Sequence, residues 1–217
     1  MKGLEEGSGK RLTTVMAEEL GPSVRTAVWV GPGHVQDFIS GMPNCMVIAS
    51  ADEDLTHFLV DTFTSPLIRF YYGQDLLGIE IGAAAKNVMG IAAGMLDGAH
   101  LTSLKELMAR GAHELSVLVA AMGGQAMTVY GLSHLGDYEA TLFSLHSNNR
   151  RFGQDFIEGK PFKKLAEGVS TTEALLDLSG KYSVELPITA AVHAIIKEKK
   201  DPHEVLKNLF LRSTKSE

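Results

Sequence analysis

The sequence predicts an α/β segment over residues 1–76 followed by an all-α segment over residues 77–217. Three observations carry that reading. Short apolar runs bounded by Gly, Pro and Asn, the mark of buried strands, are found before residue 76. After it the chain shows only apolar patterns of helical period, broken by Gly and Pro. No repeat or low-complexity linker separates the two parts, so the boundary is a change of fold and not a flexible hinge.

The elements follow in order. TAVWVGPG (26–33) is an apolar run ending in Gly-Pro-Gly, a strand entering a turn. PNCMVIAS (43–50) is a second strand and LIRFYYG (67–73) a third. Between them DLTHFLVDTFTS (54–65) has apolar residues at 55, 58, 59 and 63, near-helical spacing, with Ser50 or Asp52 as its cap. Three strands and one or two helices are few for a doubly covered sheet, so this first segment reads as incomplete.

Beyond it, IEIGAAAKNVMGIAAG (79–94) is a long apolar helix, and LTSLKELMARGAHELSVLVAAMG (101–123) puts Leu104, Leu107, Met108, Gly111 and Leu115 on one face. FKKLAEG predicts a helix ending at Gly168, then a second one capped by Ser170 with Glu173 three residues on. LPITAAVHAIIKEKK begins a helix at Pro187, and DPHEVLKNLFLR forms the final one.

Composition narrows the function classes. A net charge of −6, with no run of Lys or Arg, argues against nucleic acid or anionic membranes as partners. Lys86 interrupts the one apolar window of near membrane-spanning length, so stable insertion is not expected. Cys45 is the single cysteine, no Cys/His cluster has zinc spacing, and the N-terminus lacks a signal-peptide core. A cytoplasmic protein without a bound metal is the expectation.

Three stretches have residues fit for chemistry. Lys86-Asn87 sits at the middle of the apolar helix among Gly82, Ala83 and Gly90. Composition alone leaves two readings open: a lysine snorkelling to the surface, or a desolvated one whose lowered pKa allows proton exchange near neutral pH. GLSHLGDYEATLFSLHSNNRRFG (131–153) spaces Asp137 and Thr141 four apart. It ends in a loop entering a helix, capped by Ser147 or an Asn, whose amides suit a phosphate. In isolation a capped surface helix with solvated arginines is the better account of that patch. LAEGVSTTEALL (165–176) alone is an inter-helix loop. His113 and His193 fall in helical patterns and read as structural.

Taken together, KGLE at 2–5, VGPGHVQDF at 30–38, GIEIGAAAKNVMGIAAGMLDG at 78–98, ARGAHEL at 109–115, the 131–153 stretch, AEGVSTT at 166–172 and ELPIT at 185–189 resemble the NAD(P)-dependent glycerol-3-phosphate dehydrogenases in order and over nearly the whole chain. The resemblance implies that residues 1–76 are the C-terminal half of a Rossmann-type NAD-binding domain. It implies that residues 77–217 are an all-helical substrate and catalytic domain, like the C-terminal domain of 6-phosphogluconate dehydrogenase. The reaction implied is reversible hydride transfer between sn-glycerol 3-phosphate and dihydroxyacetone phosphate, with NAD or NADP as cofactor and a small phosphate ester as partner.

By resemblance Lys86 is the general acid/base, Lys2 the second active-site lysine and Asp137 the group that tunes Lys86. Asn87, Thr141, Asn148, Asn149 and Arg150 fall at substrate-binding positions, and Glu167 near the nicotinamide. The chain departs from the family where Asn148 replaces an Arg that grips phosphate, where Gly31-Pro32-Gly33-His34-Val35 replaces G-P-S-F-A, and where His134 fills a usually small position. No G-x-G-x-x-G follows a strand, so activity of the chain would depend on a nucleotide-binding half outside these residues. Two alternatives stay open: a non-catalytic helical dimerisation or binding module, and a related dehydrogenase of a non-phosphorylated hydroxy acid. The exposed edge of a half-built sheet favours self-association into a homodimer.

Overall fold

The computed structural model describes residues 2–33, 38–101, 103–138 and 147–211. Three strands form one sheet: β1 (Ala27–Val30), β2 (Asn44–Ser50) and β3 (Ile68–Gly73), in that order. β3 runs parallel to β2, pairing Asn44 with Ile68 and Ala49 with Gly73. β1 runs antiparallel to it, pairing Ala27 with Ser50 and Val30 with Val47. All three strands fall where the apolar runs predict them.

Met46 through Ala49 are all buried, so β2 is covered on both faces. On one face Val28, Val30, Val47 and Ala49 pack on Ile79 and Ala83. On the other, Met46, Ile48 and Phe70 pack on Val60 of helix α2 (Glu53–Phe63). Asp52 caps α2 by accepting from the Leu55 amide at 3.0 Å. Its buried face is Leu55, Thr56 and Val60, whereas Phe58 and Phe63 remain exposed. The expected apolar stripe is therefore half right: Phe63 instead leans on Trp29 at the sheet's open end, ring centroids 5.5 Å apart.

Helix α1 (Leu12–Leu20) has no counterpart in the sequence reading. Its N-cap residue, Arg11, makes no capping bond; the cap comes from Glu80, far along the chain, which accepts from the Thr13 amide and hydroxyl. A cap of that separation leaves no local signature.

Helix α3 (Leu76–Gly98) is the axis of the fold. Asp75 caps it through the Gly78 amide and also binds the Gln125 amide and the Thr128 hydroxyl. Every residue from Gly78 to Leu96 is buried. The helix is long and apolar enough to cross a membrane, but its faces are taken by helices of this same chain, as in a soluble core. Those are α4 (Leu104–Ala121), α5 (Asn148–Ile157), α6 (Gly168–Tyr182) and α7 (Pro187–Ile196), with α8 (Pro202–Phe210) outermost. A short 3-10 helix (Ala126–Tyr130) and one π turn (Leu132–Gly136) close the loop after α4.

Small residues set the closest crossing. A Cβ on Gly94 would strike the Arg150 carbonyl, and one on Gly153 the Ile91 carbonyl. Backbone therefore meets backbone where α3 crosses α5. Residues 160–166 are irregular, so the helix expected over 162–168 does not exist; α6 starts at Gly168 instead. Ser170 is no cap: it lies in the first turn and its hydroxyl donates to the Glu167 carbonyl. The S-x-x-E spacing is real, but Asn149 from α5 satisfies the Gly168 amide at 2.9 Å, and that tertiary contact moves the start of the helix.

Candidate active site

Lys86 lies at mid-length of α3, 8% exposed. The snorkelling alternative fails, because the ammonium points not to solvent but to Asp137 Oδ1 at 2.5 Å. Lys2 donates to the other oxygen of Asp137 and to the Gly31 carbonyl at 3.3 Å. One buried carboxylate thus stands between two ammonium groups. Asp137 is brought there by the π turn, which it follows directly and whose wider coil re-aims the chain.

Burial is the main influence on Lys86 and lowers its pKa to about 8. The Asp137 carboxylate pulls it back up, and the neighbouring Lys2 charge pushes it down. The arrangement holds two positive charges and one negative in a poorly solvated place, which suits an anion or an oxygen gaining negative charge.

The next helical position completes a second cluster. Asn87 Nδ2 donates to Glu167 Oε2 at 3.3 Å. Gly168 has no room for a side chain, since a Cβ would lie 2.6 Å from the Asn87 carbonyl oxygen and 2.7 Å from Ile91 Cδ1. The turn at Glu167 therefore sits directly on α3, and Asn149 Oδ1 ties it to α5. Asn148, the residue in place of an Arg, is exposed at the first position of α5, where Ser147 caps the Arg150 amide.

The structure brings together Lys86, Lys2 and Asp137, and beside them Asn87, Glu167 and Asn149. It does not bring Arg150 to them. That guanidinium binds Asp97 through Nε at 2.6 Å, eleven residues beyond Lys86 on α3, a distance of about 16 Å along the helix. Thr141 lies outside the described residues. A cavity of about 620 Å³ between α4 and α7, reached by Arg110, Val117 and Leu209, shares no residue with the cluster.

Sequence reasoning missed the contribution of His134. It is fully buried, its Nδ1 bonds the Gly82 carbonyl at 2.8 Å, and its ring stacks on Tyr138. Nδ1 must carry the proton to donate there, which leaves Nε2 a buried acceptor with no hydrogen-bond partner among the described residues.

Sequence models of the NAD-dependent glycerol-3-phosphate dehydrogenase N-terminus and C-terminus match residues 1–56 and 75–207. The chain belongs to that family. It is 37% identical over 226 residues to a glycerol-3-phosphate dehydrogenase [NAD(P)+] of Fusobacterium nucleatum, spanning all of this chain and 68% of the relative. A Desulfitobacterium hafniense protein of the same name is 37% identical over 225 residues, again over the whole chain and 64% of its own length. Among solved structures, a glycerol-3-phosphate dehydrogenase from Coxiella burnetii superposes with a TM-score of 0.89 at 32% identity, covering 97% of this chain and 67% of that one. The chain thus spans about two-thirds of the length of these relatives.

The family implies a nicotinamide dinucleotide, and the described residues fit it only in part. Two strands here lead into helices, the usual place for a pyrophosphate. At both, an aspartate already occupies the helix amides: Asp52 after β2 and Asp75 after β3. A carboxylate there repels phosphate. The pyrophosphate therefore has no cradle among the described residues; Asn87, next to Lys86 on α3, bonds Glu167.

Proposed function

We propose that this chain is the substrate and proton-transfer part of an NAD(P)-dependent glycerol-3-phosphate dehydrogenase, interconverting sn-glycerol 3-phosphate and dihydroxyacetone phosphate. The observation that carries the reading is the buried carboxylate of Asp137 held between Lys86 and Lys2. The nicotinamide supplies or accepts the hydride at C2 when bound. What this chain does is handle the proton and the charge.

In carbonyl reduction the oxygen at C2 gains negative charge as hydride arrives. Protonated Lys86 stabilises that charge and delivers the proton. In the reverse direction neutral Lys86 takes the hydroxyl proton. A pKa of about 8 leaves both forms populated near neutral pH. Lys2 adds the second positive charge, and Asp137 holds both ammonium groups in place. Asn87, which bonds Glu167, would offer a hydrogen bond to the substrate. Asn148 and Asn149, at the start of α5, would offer side-chain amides to a phosphate group bound at that helix end.

The division of labour follows the fold: residues 1–76 complete a Rossmann-type domain and residues 77–217 hold the substrate. Family membership over both parts favours this reading above a non-catalytic module. The lone Cys45 supports a reducing, cytoplasmic setting.

The test compares the chain alone with a chimera carrying the N-terminal third of the Coxiella relative ahead of Lys2. The chimera should oxidise NADH or NADPH on addition of dihydroxyacetone phosphate, and its Lys86→Met variant should not. The chain alone should bind NADH without saturation. A soluble, folded chimera that binds nucleotide yet leaves dihydroxyacetone phosphate untouched sinks the proposal.

A further inference from the structure

Glu80 is a buried carboxylate that the reaction does not use. It is 5% exposed and accepts from the Thr13 amide at 3.0 Å, the Thr13 hydroxyl at 2.6 Å and Arg11 Nη1 at 2.7 Å. Burying a carboxylate is costly unless its lone pairs are satisfied, and here three donors converge on it. Its negative charge also lies at the N-terminus of α1, which lacks a cap of its own.

The segment it holds is the one that carries Lys2. Arg11 forms a β-bridge with Leu4, and the intervening loop is closed by Glu5 N to Lys10 O at 2.9 Å and Gly9 N to Glu5 O at 3.0 Å. Leu4 is itself anchored in the main core. Lys2 therefore hangs two residues before a closed loop whose returning end is tied to Glu80. Glu80 lies six residues before Lys86 on the same helix, about 9 Å along its axis.

We propose that Glu80 is a positioning residue: by clamping Arg11 and Thr13 to α3 it fixes Lys2 in register with Lys86 across Asp137. One rigid helix then carries both the reacting lysine and the clamp for its partner. The inference rests on the proposed roles of Lys86 and Lys2, but its test needs no turnover.

The measurement is the titration of Lys86 in the 217-residue chain without substrate or nucleotide, followed by the pH dependence of its acylation rate read by peptide mass spectrometry. Among the described residues the charged or titratable groups acting on Lys86 are Asp137, Lys2 and His134. Lys2 opposes its protonation, so releasing Lys2 raises the midpoint. Glu80→Gln should lower Lys86 acylation near neutral pH about threefold, the effect of a midpoint raised by about half a pH unit. Lys2→Met should do the same, and the double variant no more than either alone.

Three results would overturn the proposal, the first two from the Glu80 and Lys2 variants themselves. One is a Glu80→Gln midpoint unchanged from wild type, and another a double variant whose shift is the sum of the two. The third is an equal shift in Asp52→Ala, which loosens α2 instead and reports general destabilisation. Where Glu80→Gln does not fold, Arg11→Gln, at the more exposed side of the same carboxylate, takes its place with the same outcomes. An inactive chimera alongside these shifts would defeat the dehydrogenase reading and leave the clamp standing.

Discussion

The Lys86 ammonium lies 2.5 Å from Asp137 Oδ1, with side chains only 10% and 3% exposed. A lysine and an aspartate so paired would ordinarily hold the lysine protonated far into the alkaline range. Here burial and the second ammonium of Lys2 outweigh the carboxylate, and Lys86 titrates near 8.

A pH dependence follows, read in the chimera. On the proposed role of Lys86, reduction uses its protonated form, so the rate should fall as pH rises through about 8. Oxidation needs the neutral amine and should rise over the same range. Lys86→Met should reduce kcat by about 10²–10⁴-fold in both directions, the usual worth of a positioned acid/base. Asp137→Asn removes the charge that raises the Lys86 pKa, so the falling limb of reduction should move to lower pH. A limb unmoved by that change would reject the coupling.

Asn148 is exposed at the start of α5. An Arg there offers bidentate, charge-assisted bonds that an amide cannot. Asn148→Arg in the chimera should tighten KM for dihydroxyacetone phosphate by roughly 10-fold or more, as one charged hydrogen bond of about 1.5–3 kcal/mol allows, with stability unchanged. Unaltered KM would mean that the phosphate sits elsewhere.

Much of this was legible in the sequence because it is local. Apolar runs gave the three strands, and Asp52, Ser147 and Pro187 marked helix starts that the structure repeats. What the sequence hid depends on distant partners. Helix α1 is capped by Glu80 and α6 by Asn149, so neither start carries a cap at the expected spacing. Arg150 is expected by resemblance at a substrate-binding position, and its sequence could not show that Asp97 on another helix binds its guanidinium. Composition alone could not tell Lys86 from a surface lysine; the family resemblance pointed to a role, and its neighbours in space show it buried against Asp137.

The α3–α5 crossing makes a stability prediction. Gly153→Ala would place a methyl on the Ile91 carbonyl, a backbone atom in a buried helix that cannot move aside. It should cost roughly 3 kcal/mol or more in chemical denaturation, the upper range for overpacking. Gly111→Ala meets instead the Met89 sulfur at 2.9 Å and the Tyr138 hydroxyl at 3.1 Å. The flexible methionine can yield, so a loss of about 1 kcal/mol is expected. Equal losses would show that α5 can shift along α3, and the register of Asn149 with Gly168 would then not be fixed by this crossing.

His134 predicts how the fold responds to acid. Burial holds its pKa near 4 against about 6.5 in an unfolded chain. Between those values the unfolded state binds the extra proton, so stability must rise with pH. The contribution is complete above about pH 6.5 and lost as pH falls towards 4, amounting to about 3 kcal/mol over that window. Other groups also respond to acid, so the comparison is with His134→Leu, which keeps the bulk and cannot be protonated. The stability difference between wild type and His134→Leu should be constant above pH 6.5 and shift against wild type below it. Parallel curves down to pH 4 would mean that the imidazole is already protonated in the folded protein, and that the Gly82 carbonyl faces a charged donor beside Lys86.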